Sequence, residues 1–123
     1  LIEDVSLTFT ALGKLPGPLI KWFLESIDTE GLCRLLDNYE DRSAIASVTF
    51  ALYDGKTIKL FHGDMHGSIA KSPQGNGFGW TPIFIPKGWT KSYGEMTLQE
   101  QKETSMRRLA VEKINNYLKN NEK

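Results

Sequence analysis

The pattern that most constrains the fold is a hairpin in the middle of the chain. Residues Ala44–Tyr53 are rich in Val, Ile, Thr and aromatic side chains, and a second strand-like run follows at Thr57–Phe61. Between the two runs, Asp54-Gly55 supplies the positive backbone angles that a tight turn requires. The sequence therefore predicts two paired strands joined at this turn.

Other elements are expected before the hairpin. Apolar and polar residues alternate towards the end of Leu1–Phe9, which is typical of a strand. A run of glycines and prolines follows, and its last residue, Pro18, suits the first position of a helix. Asp28 or Thr29 can cap a second short helix.

After the hairpin, six glycines between Gly63 and Gly88 predict a long irregular region, interrupted by the short apolar segment Ile83–Ile85. Thr97 and Glu100 form a capping box that opens a last helix. Its apolar stripe is expected to contain Met106, Leu109, Ala110, Ile114, Tyr117 and Leu118. We expect one mixed α/β domain over residues 1–123.

Composition excludes several classes of protein. The 123 residues, 40% hydrophobic and 24% charged, suit one globular domain. Fifteen basic and 15 acidic residues balance, so no positive field favours a nucleic acid polymer. No apolar run approaches the roughly 20 residues that cross a bilayer. The single cysteine, Cys33, excludes an internal disulfide and favours a reducing compartment, and its leucine-rich helix face disfavours a nucleophile.

The chain starts with an apolar pair, Leu1-Ile2, with no initiator Met and no targeting segment before it. We interpret this start as the middle of a strand whose preceding half is missing.

Two charged residues are candidates for phosphate chemistry. Asp4, beside Glu3, is a hard oxygen donor of the kind that magnesium prefers. Lys21 lies in the first turn of the predicted helix, where backbone donors and an ammonium group could bind a phosphate together. The alternatives are a solvated strand end and a surface lysine facing Glu25.

Aromatic and cationic residues are candidates for base recognition. Phe78 and Trp80 lie among glycines, where their rings could stack on a planar base, or serve as core anchors. Arg107 and Arg108 could donate to a carbonyl or phosphate oxygen, although exposed helix arginines usually do not. Met106 lies on the apolar stripe and is expected to pack in the core.

A third candidate is a metal site at His62, Asp64 and His66, which alternate and would share one face of a continuous strand. Gly63 and Gly67 make a continuous strand doubtful at this position. Histidines in a turn are the alternative interpretation.

Several ordered motifs resemble one family of enzymes, the inosine triphosphate pyrophosphatases, in their eukaryotic form. The motifs are Ile2-Glu3-Asp4-Val5-Ser6-Leu7, Gly13-Lys14-Leu15-Pro16-Gly17-Pro18-Leu19-Ile20-Lys21-Trp22-Phe23-Leu24, Tyr39-Glu40-Asp41-Arg42-Ser43-Ala44, Thr49-Phe50-Ala51-Leu52, Leu60-Phe61-x-Gly63, Phe78-Gly79-Trp80 and Tyr93-x-Glu95-Met96. The resemblance implies an elongated mixed α/β sheet flanked by helices, with a nucleotide in a cleft between two lobes. It also implies a cytoplasmic homodimer that uses magnesium to cleave inosine, deoxyinosine and xanthosine triphosphates to the monophosphate and pyrophosphate.

The same resemblance assigns roles at the phosphate end of the site. Asp4 matches the family's catalytic, magnesium-binding aspartate, Val5 matches a neighbouring backbone contact, and Lys21 matches a lysine that contacts the substrate. The family's amino-terminal part, with a Ser-Asn-x-x-Lys phosphate loop and a metal-binding glutamate, has no counterpart here. We therefore expect the carboxy-terminal portion of such an enzyme, inactive alone.

At the base end, Phe78, Gly79 and Trp80 match the segment around the base, and Arg107 matches the arginine that contacts the purine carbonyl. Three other substrate-binding positions depart from the family pattern, because this chain has Thr81, Gln101 and Met106 where an aspartate, a lysine and a histidine are usual. Methionine donates no hydrogen bond, so base selectivity is expected to differ. The second hypothesis is therefore a weak or inactive relative that serves as a nucleotide-binding or dimerisation module.

Overall fold

The computed structural model describes residues 1–120, which form a five-stranded sheet packed against helices. The strands, in chain order, are β1 (Ile2–Phe9), β2 (Pro16–Gly17), β3 (Ser43–Tyr53), β4 (Ile58–Ile69) and β5 (Phe84–Pro86). The helices are α1 (Ile20–Arg34), α2 (Leu98–Glu103) and α3 (Met106–Asn120), with 3-10 turns at Thr10–Leu12 and Tyr93–Glu95. The order across the sheet is β2-β1-β3-β4-β5, and every neighbouring pair is antiparallel. The expected mixed α/β architecture is confirmed.

The central hairpin is confirmed and is longer than the sequence predicts. β3 and β4 pair from Ser43 opposite Ser68 to Tyr53 opposite Ile58. At the turn, the Asp54 carboxylate accepts hydrogen bonds from the backbone N–H groups of the second and third residues after it, at 2.9 and 2.8 Å. The side chain thus satisfies turn donors that the ladder leaves free.

The doubt about a continuous strand through Gly63 and Gly67 is wrong. β4 passes through both residues, and other parts of the backbone lie against them. A Cβ at Gly63 would collide with the Met106 carbonyl oxygen in α3, and a Cβ at Gly67 would collide with the Ile85 carbonyl oxygen. These glycines therefore let the backbone approach closely and do not interrupt the strand.

The first helix begins two residues later than the sequence predicts. Pro18 lies in a turn, and α1 begins at Ile20. The predicted boundary at Asp28 is a kink within α1, because Asp28 has φ 58° and its carboxylate accepts a hydrogen bond from the Thr29 N–H at 2.7 Å. Two helical segments therefore meet at the non-helical residue Asp28, and the predicted start of a second helix at Asp28 or Thr29 is confirmed.

The predicted last helix consists of two helices. The capping box at Thr97 and Glu100 is present, but it opens only the short α2. The chain leaves helical geometry at Thr104, and the Ser105 hydroxyl then accepts a hydrogen bond from the Arg108 N–H at 3.2 Å. Ser105 thereby caps α3, so the apolar stripe that begins at Met106 belongs to a separate helix.

One face of the sheet carries the core. Alternate residues of β3 are buried, and the buried residues of the sheet include Leu7, Phe9, Ala44, Ala46, Val48, Phe50 and Phe61. α3 packs on this side against β3 and β4, as the contact at Gly63 shows. Within residues 1–120, no helix has the length and apolar character needed to cross a membrane.

Candidate functional site

Eight of the predicted site residues line one cavity, which we call the aromatic cavity. Its volume is about 320 Å³. The eight residues are Val5, Phe78, Gly79, Trp80, Thr81, Gln101, Met106 and Arg107, and Tyr93 and Ser105 complete the lining. β1, the loop before β5, α2 and the start of α3 contribute these side chains. Positions far apart in the sequence therefore meet at one site.

The other two predicted residues, Asp4 and Lys21, line a neighbouring cleft of about 470 Å³, which we call the Asp4 cleft. Val5, Gly79 and Trp80 line both spaces. Asp4 and Trp80 thus share a cleft, and this cleft adjoins the aromatic cavity at Val5, Gly79 and Trp80. The arrangement brings a carboxylate and an ammonium group to one end of an aromatic pocket.

The two candidate stacking rings lie in different environments. Trp80 is 9% exposed and is held by Phe84 and Tyr93, with ring centroids 5.7 and 6.1 Å away. Phe78 is 94% exposed. Trp80 therefore forms a fixed wall of the cavity, whereas the ring of Phe78 is free to cover a ligand at the cavity mouth.

Thr81 and Gln101, two of the residues that differ from the family pattern, donate hydrogen bonds to the protein's own backbone. The Thr81 hydroxyl donates to the Phe78 carbonyl oxygen at 2.8 Å, within the loop that carries the aromatic pair. The Gln101 side-chain amide donates to the Tyr93 carbonyl oxygen at 2.9 Å. Both side chains therefore contribute to the shape of the cavity, and the bond from Gln101 determines how its amide is oriented.

Met106 is both a core residue and a cavity residue. It is 6% exposed, lines the aromatic cavity, and presents a thioether where the resemblance implies an imidazole. The position is therefore apolar in this chain.

Tyr93 is a cavity residue that reasoning from the sequence did not select as a site residue. Its hydroxyl donates to the Thr104 carbonyl oxygen at 2.6 Å, and burial raises the pKa of the phenol to about 12. The 3-10 turn that carries it is closed by Ser92 and Glu95, whose side chains form a capping box. The motif Tyr93-x-Glu95-Met96 was the available signal for this position.

Arg107 is paired with a residue at the opposite end of the sequence. Its Nε and Nη2 donate to Glu3 Oε2 and Oε1, each at 2.7 Å. The bonds from Arg107 hold the pKa of the Glu3 carboxyl below its usual value, and the Glu3 carboxylate raises the pKa of Arg107. After Tyr93, Glu3 is thus a second residue that contacts the site and that the sequence did not indicate as a site residue.

Asp4 and Lys21 have no such partners. Within the part of the chain that the structure describes, neither side chain forms a hydrogen bond or an ion pair, and both are exposed. Lys21 is the second residue of α1, as the predicted first-turn position requires. A carboxylate with no protein partner suits a hard divalent cation, and among the described residues Asp4 and Glu25 are the two carboxylates that line this cleft.

The alternative metal site on β4 is not formed. His62, Asp64 and His66 do share one face of the strand, but residues 1–120 contain no group of three or more histidine, cysteine or acidic side chains placed to hold a metal ion. His62 instead contacts Asp64 through Nε2 at 2.6 Å and Thr49 through Nδ1 at 2.8 Å. These side chains form a polar network on the exposed side of the sheet.

Comparison with known proteins agrees with the resemblance. The sequence pattern of the Ham1 family matches residues 1–117. The chain belongs to the Ham1 family. A curated relative of this Ham1 family chain, the inosine triphosphate pyrophosphatase of Candida albicans (strain WO-1), is 42% identical over 120 residues, which cover 96% of the chain and 59% of the relative. The protein of strain SC5314 has the same identity and coverage.

Solved structures show the same fold. The Ham1 protein of Staphylococcus aureus superposes with a TM-score of 0.86 at 26% identity, over 96% of this chain and 65% of that protein. A Mycobacterium abscessus protein titled nucleoside-triphosphatase / dITP/XTP pyrophosphatase gives a TM-score of 0.76 at 28% identity, over 91% and 64%. This Ham1 family chain therefore spans about three-fifths of the length of its curated relatives and less than two-thirds of these structures.

Proposed function

We propose that the full-length polypeptide hydrolyses non-canonical purine nucleoside triphosphates (ITP, dITP and XTP) to the monophosphate and pyrophosphate. The observation that carries the proposal is that the aromatic cavity and the Asp4 cleft adjoin each other, with Val5, Gly79 and Trp80 lining both. A purine nucleotide has the matching chemistry, because a planar base and a polyanion lie at its two ends. The names of the relatives point to the same substrates.

At the base end, Phe78 is placed to cover the purine while Trp80 forms the opposing wall. The guanidinium of Arg107 donates to the purine carbonyl oxygen, and Thr81, Gln101 and Met106 shape the remaining wall. Arginine suits this role because its N–H groups have fixed directions. A neutral carbonyl is the feature that distinguishes hypoxanthine and xanthine from adenine at this position.

At the phosphate end, Asp4 would hold magnesium, which when bound would supply positive charge to neutralise the phosphates and polarise the phosphoryl group. Asp4 also helps to activate the water that attacks the α-phosphorus, and Lys21 stabilises the charge that develops on the phosphate oxygens. Because Asp4 and Glu25 are the two carboxylates that the described residues place at the cleft, we expect the rest of the full-length polypeptide to supply the further ligands and the phosphate loop. This chain alone is therefore expected to be inactive, and we expect the intact enzyme to be a cytoplasmic homodimer.

The test is Asp4→Asn in the full-length polypeptide. We expect magnesium-dependent pyrophosphate release from ITP to fall by at least about 100-fold, the usual scale for losing a group that assists proton transfer. Asp64→Asn is the matched control, because Asp64 is an exposed carboxylate on the same side of the same sheet but outside both spaces. Unchanged turnover in Asp4→Asn would remove Asp4 from the mechanism.

Thr81 and Gln101 favour a second function, because both are uncharged and donate hydrogen bonds to the backbone. The resemblance implies an aspartate and a lysine at these two positions. In this second function the protein is a weak or inactive relative that binds nucleotides. An active enzyme releases pyrophosphate much faster from ITP than from ATP. A binding module shows calorimetric affinity or dimerisation without turnover.

A further inference from the structure

An ion pair at the edge of the aromatic cavity joins the first strand to the last helix. Glu3, on β1, and Arg107, in the first turn of α3, are 104 residues apart and are joined by two parallel hydrogen bonds of 2.7 Å. Glu3 lies on the same side of β1 as Val5, which lines the aromatic cavity together with Arg107. The pair therefore lies at the edge of the proposed base pocket.

The pair determines which donors of Arg107 remain for a ligand. A guanidinium carries five N–H groups in one plane. Nε and Nη2 each use one N–H on Glu3, which leaves three N–H groups, including both on Nη1. Because two contacts hold the plane, rotation about the end of the arginine side chain is restricted. The remaining donors are thus held in one direction.

The pair also changes the charge that the cavity presents. Glu3 neutralises the positive charge of Arg107 at contact distance, whereas Lys21 in the Asp4 cleft has no ion-pair partner among the described residues. A neutralised guanidinium still donates hydrogen bonds to a carbonyl oxygen but attracts a phosphate group less than a free cation does. The two ends of the site therefore favour different ends of a nucleotide.

We propose that Glu3 is a positioning residue for base selectivity: it orients Arg107 towards the purine carbonyl and lowers the affinity of this end of the site for phosphate. The inference rests on the proposed function for the identity of the ligand. The competing explanation is a surface ion pair that only ties β1 to α3, since both side chains are partly exposed.

The first test is Glu3→Gln in the full-length polypeptide, with affinities for ITP and ATP measured by calorimetry in EDTA, where no turnover occurs. Glutamine keeps the size of the side chain and removes its charge. We expect the preference for ITP over ATP to fall by about five- to tenfold, the scale of one misdirected polar contact. With magnesium, we expect the KM for ITP to rise more than kcat falls.

Glu112→Gln is the matched control. Glu112 pairs with Arg108 at 3.3 Å on the same helix and lines neither the aromatic cavity nor the Asp4 cleft. The Glu112→Gln variant removes the carboxylate partner of an arginine outside the aromatic cavity, so the preference for ITP should not change.

A charge-swapped double variant, Glu3→Arg with Arg107→Glu, separates positioning from simple attachment. The swap restores an ion pair between β1 and α3 but moves the guanidinium to the strand. We expect thermal stability to recover towards that of the parent while the preference for ITP stays lost. Recovery of the preference in the swap, or an unchanged preference in Glu3→Gln, would overturn the proposal.

The outcomes for the two proposals are distinct. If the parent protein prefers ITP in EDTA but releases no pyrophosphate with magnesium, the proposed hydrolysis is wrong, and the binding comparison still decides the role of Glu3. If the parent does not distinguish ITP from ATP in binding, Glu3 has no selectivity to support and the inference is wrong.

Discussion

Gly63 has no room for a side chain, because the backbone of α3 lies directly against it. A methyl group there would collide with the carbonyl oxygen of Met106 and would lie 3.0 Å from the backbone nitrogen of Ala110. Both atoms belong to the backbone of α3 and cannot rotate away as a side chain could. In Gly63→Ala, α3 must therefore move away from β4, and the packing between Phe61 and Tyr117, whose rings are 5.4 Å apart, is disturbed.

The expected loss is about 2 kcal/mol of unfolding free energy, within the roughly 1–3 kcal/mol that overpacking a close contact costs. The shift also has a functional consequence, because α3 carries Met106 and Arg107 into the aromatic cavity. We expect weaker binding of ITP together with the lower stability. Urea unfolding followed by circular dichroism measures the first effect, and calorimetric titration with ITP measures the second.

Gly55→Ala is the matched control for this experiment. No atom lies within 4 Å of a Cβ at Gly55, but its φ of +94° is unfavourable for alanine. It should lose about 1 kcal/mol or somewhat more through backbone strain and should leave ITP binding unchanged. If Gly63→Ala were within about 0.5 kcal/mol of the parent and bound ITP normally, the close approach of α3 would not constrain this position.

Two further predictions concern residues outside the site. Arg42 donates to the carbonyl oxygens of Ile69, Cys33 and Ala70 at 2.9, 3.0 and 2.7 Å, so Arg42→Met should lose roughly 3 kcal/mol of unfolding free energy in denaturant titration because three carbonyl groups lose a donor. Arg42→Lys keeps part of the donor capacity and should lose less, and no loss in either variant would contradict this account. Burial raises the pKa of the Cys33 thiol to about 11 from 9.0, so the thiol of the unfolded chain ionises first as pH rises. The contribution of Cys33 to the unfolding free energy should therefore be fully present below about pH 9 and be lost as the pH rises towards 11. Cys33→Ala should reduce this decrease. An identical pH profile in that variant would show that another group is responsible.

Local chemistry made several elements predictable. Asp54-Gly55 specifies the hairpin turn, since both the backbone angles and the capping carboxylate lie within four residues of sequence. Thr97 and Glu100 specify the start of α2 for the same reason. Such features depend on residues a few positions apart, so the sequence pattern alone contains their cause.

The elements that were predicted wrongly depend on contacts between distant segments. Gly63 looks like a strand breaker until α3 is seen to lie against it. The separation of α2 from α3 accompanies the hydrogen bond from the Tyr93 hydroxyl to the Thr104 carbonyl, across 11 residues. A periodic apolar pattern continues through such a break, and periodicity alone therefore predicts one helix.

The site shows the same division. The residue types by themselves left a surface position as the alternative for Asp4 and Lys21, and core packing as the alternative for Trp80. The ordered motifs, matched to a known family, selected these residues together. Only the fold decided that Trp80 is a buried wall, because Phe84 and Tyr93 pack against it, and that Phe78 is an exposed ring.

The sequence by itself determined the hairpin turn, the capped start of α2, the family and the residues that meet at the site. The tertiary structure decided the path of β4 and the pairing of Glu3 with Arg107. The physical reason is range: turn and capping energies act between neighbours in the chain, whereas close backbone packing and an ion pair across 104 residues exist only once the strand and the helix are brought together.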